Sequence, residues 1–513
     1  MVVGRTKEVS APPIWGVCPL VAQQVRSLGV ILDVDLRLDR QVEAVAKAAF
    51  PQLYLVRRLR PSPVPTWPLS SMPSLPRGLT TLAKSYGNIF TMWAGPIPVI
   101  VLSGFQAVGD GLITKAEDLA DRPETPFFNA FANGKGIILS NGRTWKQQRR
   151  FGLSTLRKLG VGKKSMEHQI EEEVRLLVET FAKEKGQPLD PAFPIVNAVA
   201  NVISVAAFGH RFSTDDEVFH QLVESVRYIL NFAGTTSHML YELFPWLMRY
   251  LPGPHKKTLA CRDFIYSFVR KEIKNHEAAG TLDDPRDFID FYLAKMEKVR
   301  DSTSTFDEDN MVHDIFDLFL AGSDTTTTTL QWALLYMVNH PDIQEKVQKE
   351  LDNVLGSSQL IFYEDRKKLP YTNAVIHEIQ RFSNIILIGV PRQTVKDTVV
   401  LGFPIEKGIA VLPDLCSVLR DPEQWETPQQ LNPNHFLDKD GNFVTREAFM
   451  PFGEGHRMCL GEQLARTELF LFFTTLLRAF SFRLPEGVKE ISTNPVVGAS
   501  VHPEPYQICA VPR

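Results

Sequence analysis

Charge of one sign, paired cysteines and a long apolar run are all missing from this sequence. Its 513 residues carry 56 Lys and Arg against 59 Asp and Glu, a formal net charge of −3. Nothing global therefore attracts nucleic acid or acidic lipid, and any basic surface must be local. The five cysteines, Cys18, Cys261, Cys416, Cys459 and Cys509, are odd in number and far apart, with no CxxC or Cys/His cluster. That excludes a disulfide framework and a zinc site and fits a reducing compartment. The longest uncharged run near the start, Val9 to Val25, is broken by Pro12, Pro13, Pro19, Gln23 and Gln24. No run elsewhere reaches the roughly 18 apolar residues of a span, so neither a membrane anchor nor a secretory leader is expected.

What the chain does contain is enough apolar residue for a large core: 44% hydrophobic against 22% charged, the balance of an ordinary globular protein. The expected fold class is mainly α. Met166, Ile170, Val174, Leu177, Val178 and Phe181 recur at helical spacing before Gly186. "NAVANVISVAAFG", "YTNAVIHEIQRF" and "LGEQLARTELFLFFTTLLRAF" read as further helices, and Asn310 to Asn339 as a long one with poor helix formers in its middle, "AGSDTTTTT". Strands are few. "NIFTMWAG" and "IPVIVLSG" form a hairpin about Gly95 and Pro96, and "TVVLGFPIEKGIAVL" a second small β region. Residues 61–78, with six prolines between Pro61 and Pro76, read as an extended linker. Residues 1–60 have a pattern of their own. There "QQVRSLGVILDVDLRLDRQVEAVAKAAFPQLYLVRRLRP" resembles the closing segment of LINE-type reverse transcriptases without their catalytic residues, which implies a fused fragment and no polymerase activity.

One stretch concentrates chemistry: "PFGEGHRMCLG", Pro451 to Gly461. Cys459 sits where a glycine-rich loop enters a helix expected to begin near Leu460. A thiolate is the metal-binding form, and free amides at a helix start and a nearby cation stabilise its charge. Gly455 and Gly461 let backbone turn tightly and approach a flat ligand, and Arg457 offers a fork suited to a carboxylate. With no second Cys nearby, Cys459 would be a single axial ligand, the others coming from something such as a porphyrin. Cys261, Cys416 and Cys509 read as buried filler. Phe452, Gly455, Arg457, Cys459 and Gly461 match FxxGxRxCxG, and the stretch resembles the cysteine-ligand loop of the haem-thiolate monooxygenases, the cytochromes P-450.

Other segments carry the same resemblance. Glu378 and Arg381 in "HEIQR" are spaced to pair on one helix face; they are similar to the family's buried ExxR pair, a scaffold whose third partner comes from a downstream segment. Here that segment is "NPNHF", with His435 where many members carry arginine. In "AGSDTT", Gly322 removes bulk and threonine hydroxyls can bond the carbonyl one turn back, opening room for a small molecule. Asp324 and Thr325 then offer an acid and a hydroxyl for delivering protons to dioxygen; the bland alternative is a solvent-facing Asp beside ordinary helix threonines. Trp145 and Arg149 in "WKQQRRF" lie four apart, where both can donate to an anion. The resemblance assigns them to a haem propionate, with Arg457 and Arg392 of "VPRQT" as further propionate contacts. Lys146, Arg150, Arg157 and Lys158 leave a basic patch suited to an acidic electron-donor flavoprotein.

The resemblance spans about Leu79 to Pro512 and looks most like animal family 2, subfamily J. It implies a cytochrome P-450 catalytic domain over 79–513, a large helical domain with small β-sheet regions around buried haem b. The activity implied is insertion of one atom of O2 into lipophilic substrates: polyunsaturated fatty acids such as arachidonate, by epoxidation or hydroxylation, and xenobiotics. Electrons would come from NADPH through NADPH-cytochrome P-450 reductase, with cytochrome b5 as a further donor and no nucleic acid partner. The pocket would be lined by residues 127–131, Phe316, Phe319, 385–390 and 496–498. Family members sit on the cytoplasmic face of the endoplasmic reticulum membrane through an N-terminal hydrophobic helix. The retroelement-like segment stands in its place, so an altered gene model or splice form is expected, with peripheral contact to membrane lipid. Two other readings compete: a haem-thiolate isomerase of peroxides, against which Asp324 and Thr325 argue, and an inactive haem-binding product.

Overall fold

A computed structural model describes residues 75–94, 97–280, 283–299, 304–355 and 360–513. The 1–60 segment and residues 61–74 of the expected linker lie outside these. The linker's end is helical rather than extended: α1, Leu75–Tyr86, has Pro76 in its first turn, where the missing N–H has no intrahelical partner to lose.

The strands β1 (Ile89–Ala94) and β2 (Ile97–Ser103) pair antiparallel, Phe90 opposite Val101. Phe90, Met92 and Val101 close on Leu79 of α1. Next come α2 (Gly142–Lys158), α3 (Lys164–Lys183), α4 (Ala192–Phe208), α5 (Glu217–Phe232), α6 (Pro254–Ala279) and α7 (Phe288–Lys298). The central helix α8 (Glu308–Asn339) precedes α9 (Pro341–Val354) and α10 (Pro370–Ser383). β3 (Arg392–Gln393) and β4 (Ala410–Asp414) complete a sheet in the order β1, β2, β4, β3, with β2 and β4 parallel. After α11 (Glu462–Ala479), β5 (Pro495–Val497) and β6 (Val501–Pro503) form a hairpin. Among the described residues no helix is long and apolar enough to cross a membrane.

At 32 residues α8 is buried on nearly every side, the signature of a helix inside the core. Asp307 caps it, accepting from Asn310 N at 2.8 Å. Its poor helix formers are held by packing against α4. A Cβ on Gly322 would stand 3.0 Å from Ile203, so the space this glycine makes is filled by α4, not left for a small molecule.

Candidate active site

The loop before α11 is closed by its own backbone: Gly453 N to Met450 O (3.1 Å), Met458 N to Gly455 O (3.0 Å) and Cys459 N to Phe452 O (3.0 Å). The Phe452 ring lies 4.9 Å from the Arg466 guanidinium. Gly455, at φ 74°, answers a protein contact and not a flat ligand: a Cβ there would stand 1.9 Å from Leu112 O. Gly461 differs. Its φ of −93° suits any residue, and a Cβ would meet nothing within 4 Å, so no protein neighbour requires glycine there. Helix α11 begins at Glu462 with Gly461 as its cap, slightly later than expected. Cys459 is exposed to solvent. Its surroundings are nonetheless deep enough that burial is the main influence on the thiol, pushing its pKa up together with the Glu462 carboxylate, against the pull of the Gly461 and Glu462 amides and of Arg149.

Beside the sulfur, α2 presents Trp145 and Arg149 one turn apart. Arg149 Nη2 donates to Met458 O at 2.6 Å, fastening α2 to the cysteine loop. Arg457 lies over the Trp145 indole, 4.0 Å from its centroid. It donates to Ala120 O (2.6 Å), Ser140 O (2.7 Å), Ile137 O (3.3 Å) and Asn141 Oδ1 (3.2 Å). Most of this fork therefore ties the 120–141 segment together, leaving spare donor capacity at Nη1. Arg392 is set by the sheet, opposite Val411 of β4. Arg122, which no motif singled out, staples β3's approach by donating to Ile138 O, Val390 O and Pro391 O, each at 2.9 Å.

These guanidiniums act on one another. Burial, then Arg392 and Arg149, bring Arg457 down to about 9, with Asp121 opposing; burial, then Arg149, bring Arg392 down to about 10. Arg392 Nε and Trp145 Nε1 are buried without a hydrogen-bond partner. A buried cation and a buried indole with orphaned N–H groups are complementary to an anion, above all a carboxylate.

On α8, Ala321 is exposed in the middle of an otherwise buried helix, and Thr325 one turn on is half-open. Thr325 Oγ1 donates to Ala321 O at 2.9 Å, the local loosening that a helix threonine produces. Asp324 is not solvent-facing. It is 6% exposed, its carboxylate turned to the β5–β6 hairpin, where Ser500 Oγ donates to Oδ2 at 2.5 Å and His502 Nε2 lies 3.4 Å from Oδ1. Burial raises its pKa, partly offset by His502 and Ser500. Of the expected pocket lining, Phe127, Phe131, Phe316 and Phe319 are buried. Phe131 packs on Phe127 and Phe316, so this part reads as core.

Glu378 and Arg381 form a fully buried pair, Nε and Nη2 each 2.7 Å from a carboxylate oxygen. The remaining guanidinium donors reach Leu419 O (2.8 Å), Pro428 O (3.0 Å) and Gln430 O (2.9 Å). His435 takes the third place, its Nδ1 3.1 Å from Glu378 Oε2. Thr427 N–H points at His435 Nε2 from 3.1 Å and can only donate. Nε2 is thus an acceptor and Nδ1 carries the hydrogen offered to Glu378.

The family model described as Cytochrome P450 matches residues 66–510. The chain is 44% identical over 431 residues to Cytochrome P450 2J2 of Homo sapiens, covering 84% of this chain and 86% of that protein. It is 42% identical over 435 residues to Cytochrome P450 2J5 of Mus musculus (85% and 86% covered). To Cytochrome P450 2K6 of Danio rerio it is 44% identical over 442 residues (85% and 87% covered).

Proposed function

The chain belongs to the cytochrome P450 family, as a monooxygenase of family 2, and from that premise we propose that it oxygenates lipophilic substrates at a haem held by Cys459. One observation carries this: an exposed cysteine under the amides of Gly461 and Glu462, beside Arg392 Nε and Trp145 Nε1, two buried N–H groups that lack partners. Cys459 would supply the thiolate that holds the haem iron; Trp145, Arg149, Arg392 and the spare donor of Arg457 would hold the haem carboxylates, and Gly461 leaves the approach clear. Haem bound through a thiolate supplies electron density that favours O–O cleavage.

The chain's own contribution is proton supply. Thr325 places a hydroxyl on the open face of α8, and Asp324 is the nearby acid that replenishes it. Thr325→Ala is expected to lower product formed per NADPH consumed by roughly tenfold or more while NADPH oxidation continues; unchanged coupling would remove Thr325 from this role.

Electron supply has a docking surface. A cavity of about 400 Å³ against α2 is lined by Lys146, Arg149, Arg150, Arg157 and His456 with no acidic side chain. An acidic reductase passing electrons from NADPH, or cytochrome b5, fits there. Lys158 instead lies over the Phe291 ring, 5.1 Å from its centroid. Trp246 and Tyr250, 66% and 84% exposed, suit contact with lipid at the endoplasmic reticulum surface. Fatty acids such as arachidonate, and xenobiotics, are the substrates that the resemblance to subfamily J implies.

Product analysis with a panel of these lipids, with and without NADPH and reductase, tests the reading. Oxygenated product requiring both is expected, with more reductase needed for an Arg150→Glu, Arg157→Glu variant. Rearranged product from a lipid peroxide without NADPH would move the protein to the isomerase class.

A further inference from the structure

The threonines of α8 divide into two sets. Thr325, Thr327 and Thr329 donate to carbonyls of their own helix. Thr326 and Thr328 turn outward instead, Thr326 Oγ1 donating to Glu468 Oε2 at 2.9 Å and Thr328 Oγ1 lying 3.0 Å from His502 Nδ1. His502 Nε2 is 3.0 Å from Ser500 Oγ, which donates to Asp324 Oδ2 at 2.5 Å. Ser500 O–H points to the carboxylate and Nε2–H to Ser500; at Nδ1 the Thr328 hydroxyl donates to the neutral ring and accepts from the imidazolium. Thr328, Ser500 and Asp324 are buried, whereas the His502 side chain keeps 16% of its surface open.

The hairpin carrying these residues is fixed by separate bonds. Trp332 Nε1 donates to Val501 O at 2.8 Å, Val501 N to Ile385 O at 2.9 Å and Ala499 N to Leu230 O at 2.8 Å. Arg227 of α5 is the further charge acting on Asp324.

We propose that Ser500 and His502 form, with Thr328, a proton wire that positions Asp324 and reloads its carboxyl group. It deepens, and rests on, the reading of Asp324 as the acid of the monooxygenase site. In the step, the imidazolium of His502 gives its Nε2 proton to Ser500 Oγ as Ser500 passes its own to Asp324 Oδ2. The two hops deliver one net proton and no electrons are exchanged; His502 is left neutral with Nδ1–H donating to Thr328, Asp324 becomes the uncharged acid, and solvent reaching the 16% of the His502 side chain that is open recharges the ring. Ser500 and His502 act through Asp324 and are positioning residues.

The test uses the holoenzyme and its His502→Leu, Ser500→Ala, Ser500→Thr and Asp324→Asn variants. Infrared titration follows the carboxylic acid band that Asp324→Asn abolishes. Both partners favour the carboxylate, so His502→Leu and Ser500→Ala are expected to raise that band's pH midpoint by about one unit, with Ser500→Thr restoring it. Product per NADPH should fall about threefold to tenfold in the same two variants and recover with threonine. Should His502→Leu fail to fold, the Ser500 pair decides alone. A band unmoved in Ser500→Ala, or coupling equal to the wild type, overturns the wire. A wild type lacking the red-shifted carbon-monoxide band overturns the haem-thiolate reading instead, and the infrared midpoint, which needs no turnover, still tests the wire.

Discussion

Cys459→Ser is expected to remove the red-shifted band of the reduced, carbon-monoxide-bound protein and product formation together. A serine hydroxyl keeps the shape of the side chain but stays protonated at neutral pH and offers no soft anion. The groups aimed at position 459, the Gly461 and Glu462 amides and Arg149, stabilise an anion and gain little from a neutral hydroxyl. Substituting groups that merely support a metal ligand costs roughly 10 to 100-fold, so loss of the ligand itself should exceed about 100-fold in product. The fold should persist, because the loop is held by backbone bonds such as Cys459 N to Phe452 O at 3.0 Å, which serine retains. Circular dichroism and an unchanged unfolding midpoint would establish that. A folded serine variant with both band and product intact would leave Cys459 without its assigned role.

The contrast between Gly455 and Gly461 shows what a sequence can and cannot convey. Both glycines stand out in the cysteine loop, and both read as room for a ligand. For Gly455 the cause is the Leu112 carbonyl, a contact made by distant chain that no local pattern records. Gly322 follows the same rule, its reason being Ile203 of α4. What was legible is short-range: the Cys459 loop, the Trp145 and Arg149 spacing, the ExxR pair, and the helical periodicity that locates α3, α8, α10 and α11. What was not legible depends on chain crossing. Ser500 reaches Asp324 across 176 residues, and Arg122 meets Val390 across 268. Neither belongs to a motif. The boundary of α1 was hidden differently: counting prolines marks residues 61–78 as linker, but a proline in the first turn is compatible with a helix start, and Pro76 is one.

Arg381→Ala and Glu378→Ala carry the second large expected effect, a loss of about 3–5 kcal/mol each. Against a typical stability of roughly 5–15 kcal/mol, that is enough to deplete folded, haem-containing protein. Arg381→Ala leaves a carboxylate with no exposure and no countercharge, held only by His435 and the Asn432 amide, and takes the Arg381 donors from the carbonyls of Leu419, Pro428 and Gln430. Arg381→Lys is expected to recover little, since one ammonium cannot reproduce the guanidinium's planar fork toward acceptors in several directions. The double substitution Glu378→Leu, Arg381→Met should cost less than the sum of the single alanine changes, because neither charge is then left alone. His435→Ala removes a neutral donor to Glu378 and unpairs the Thr427 amide, for a smaller loss of about 1–3 kcal/mol. Guanidinium denaturation midpoints and haem content read all of these. Single variants as stable as the wild type, or a strictly additive double, would mean that the pair is solvated and that the 415–435 segment is held onto α10 by something other than Arg381.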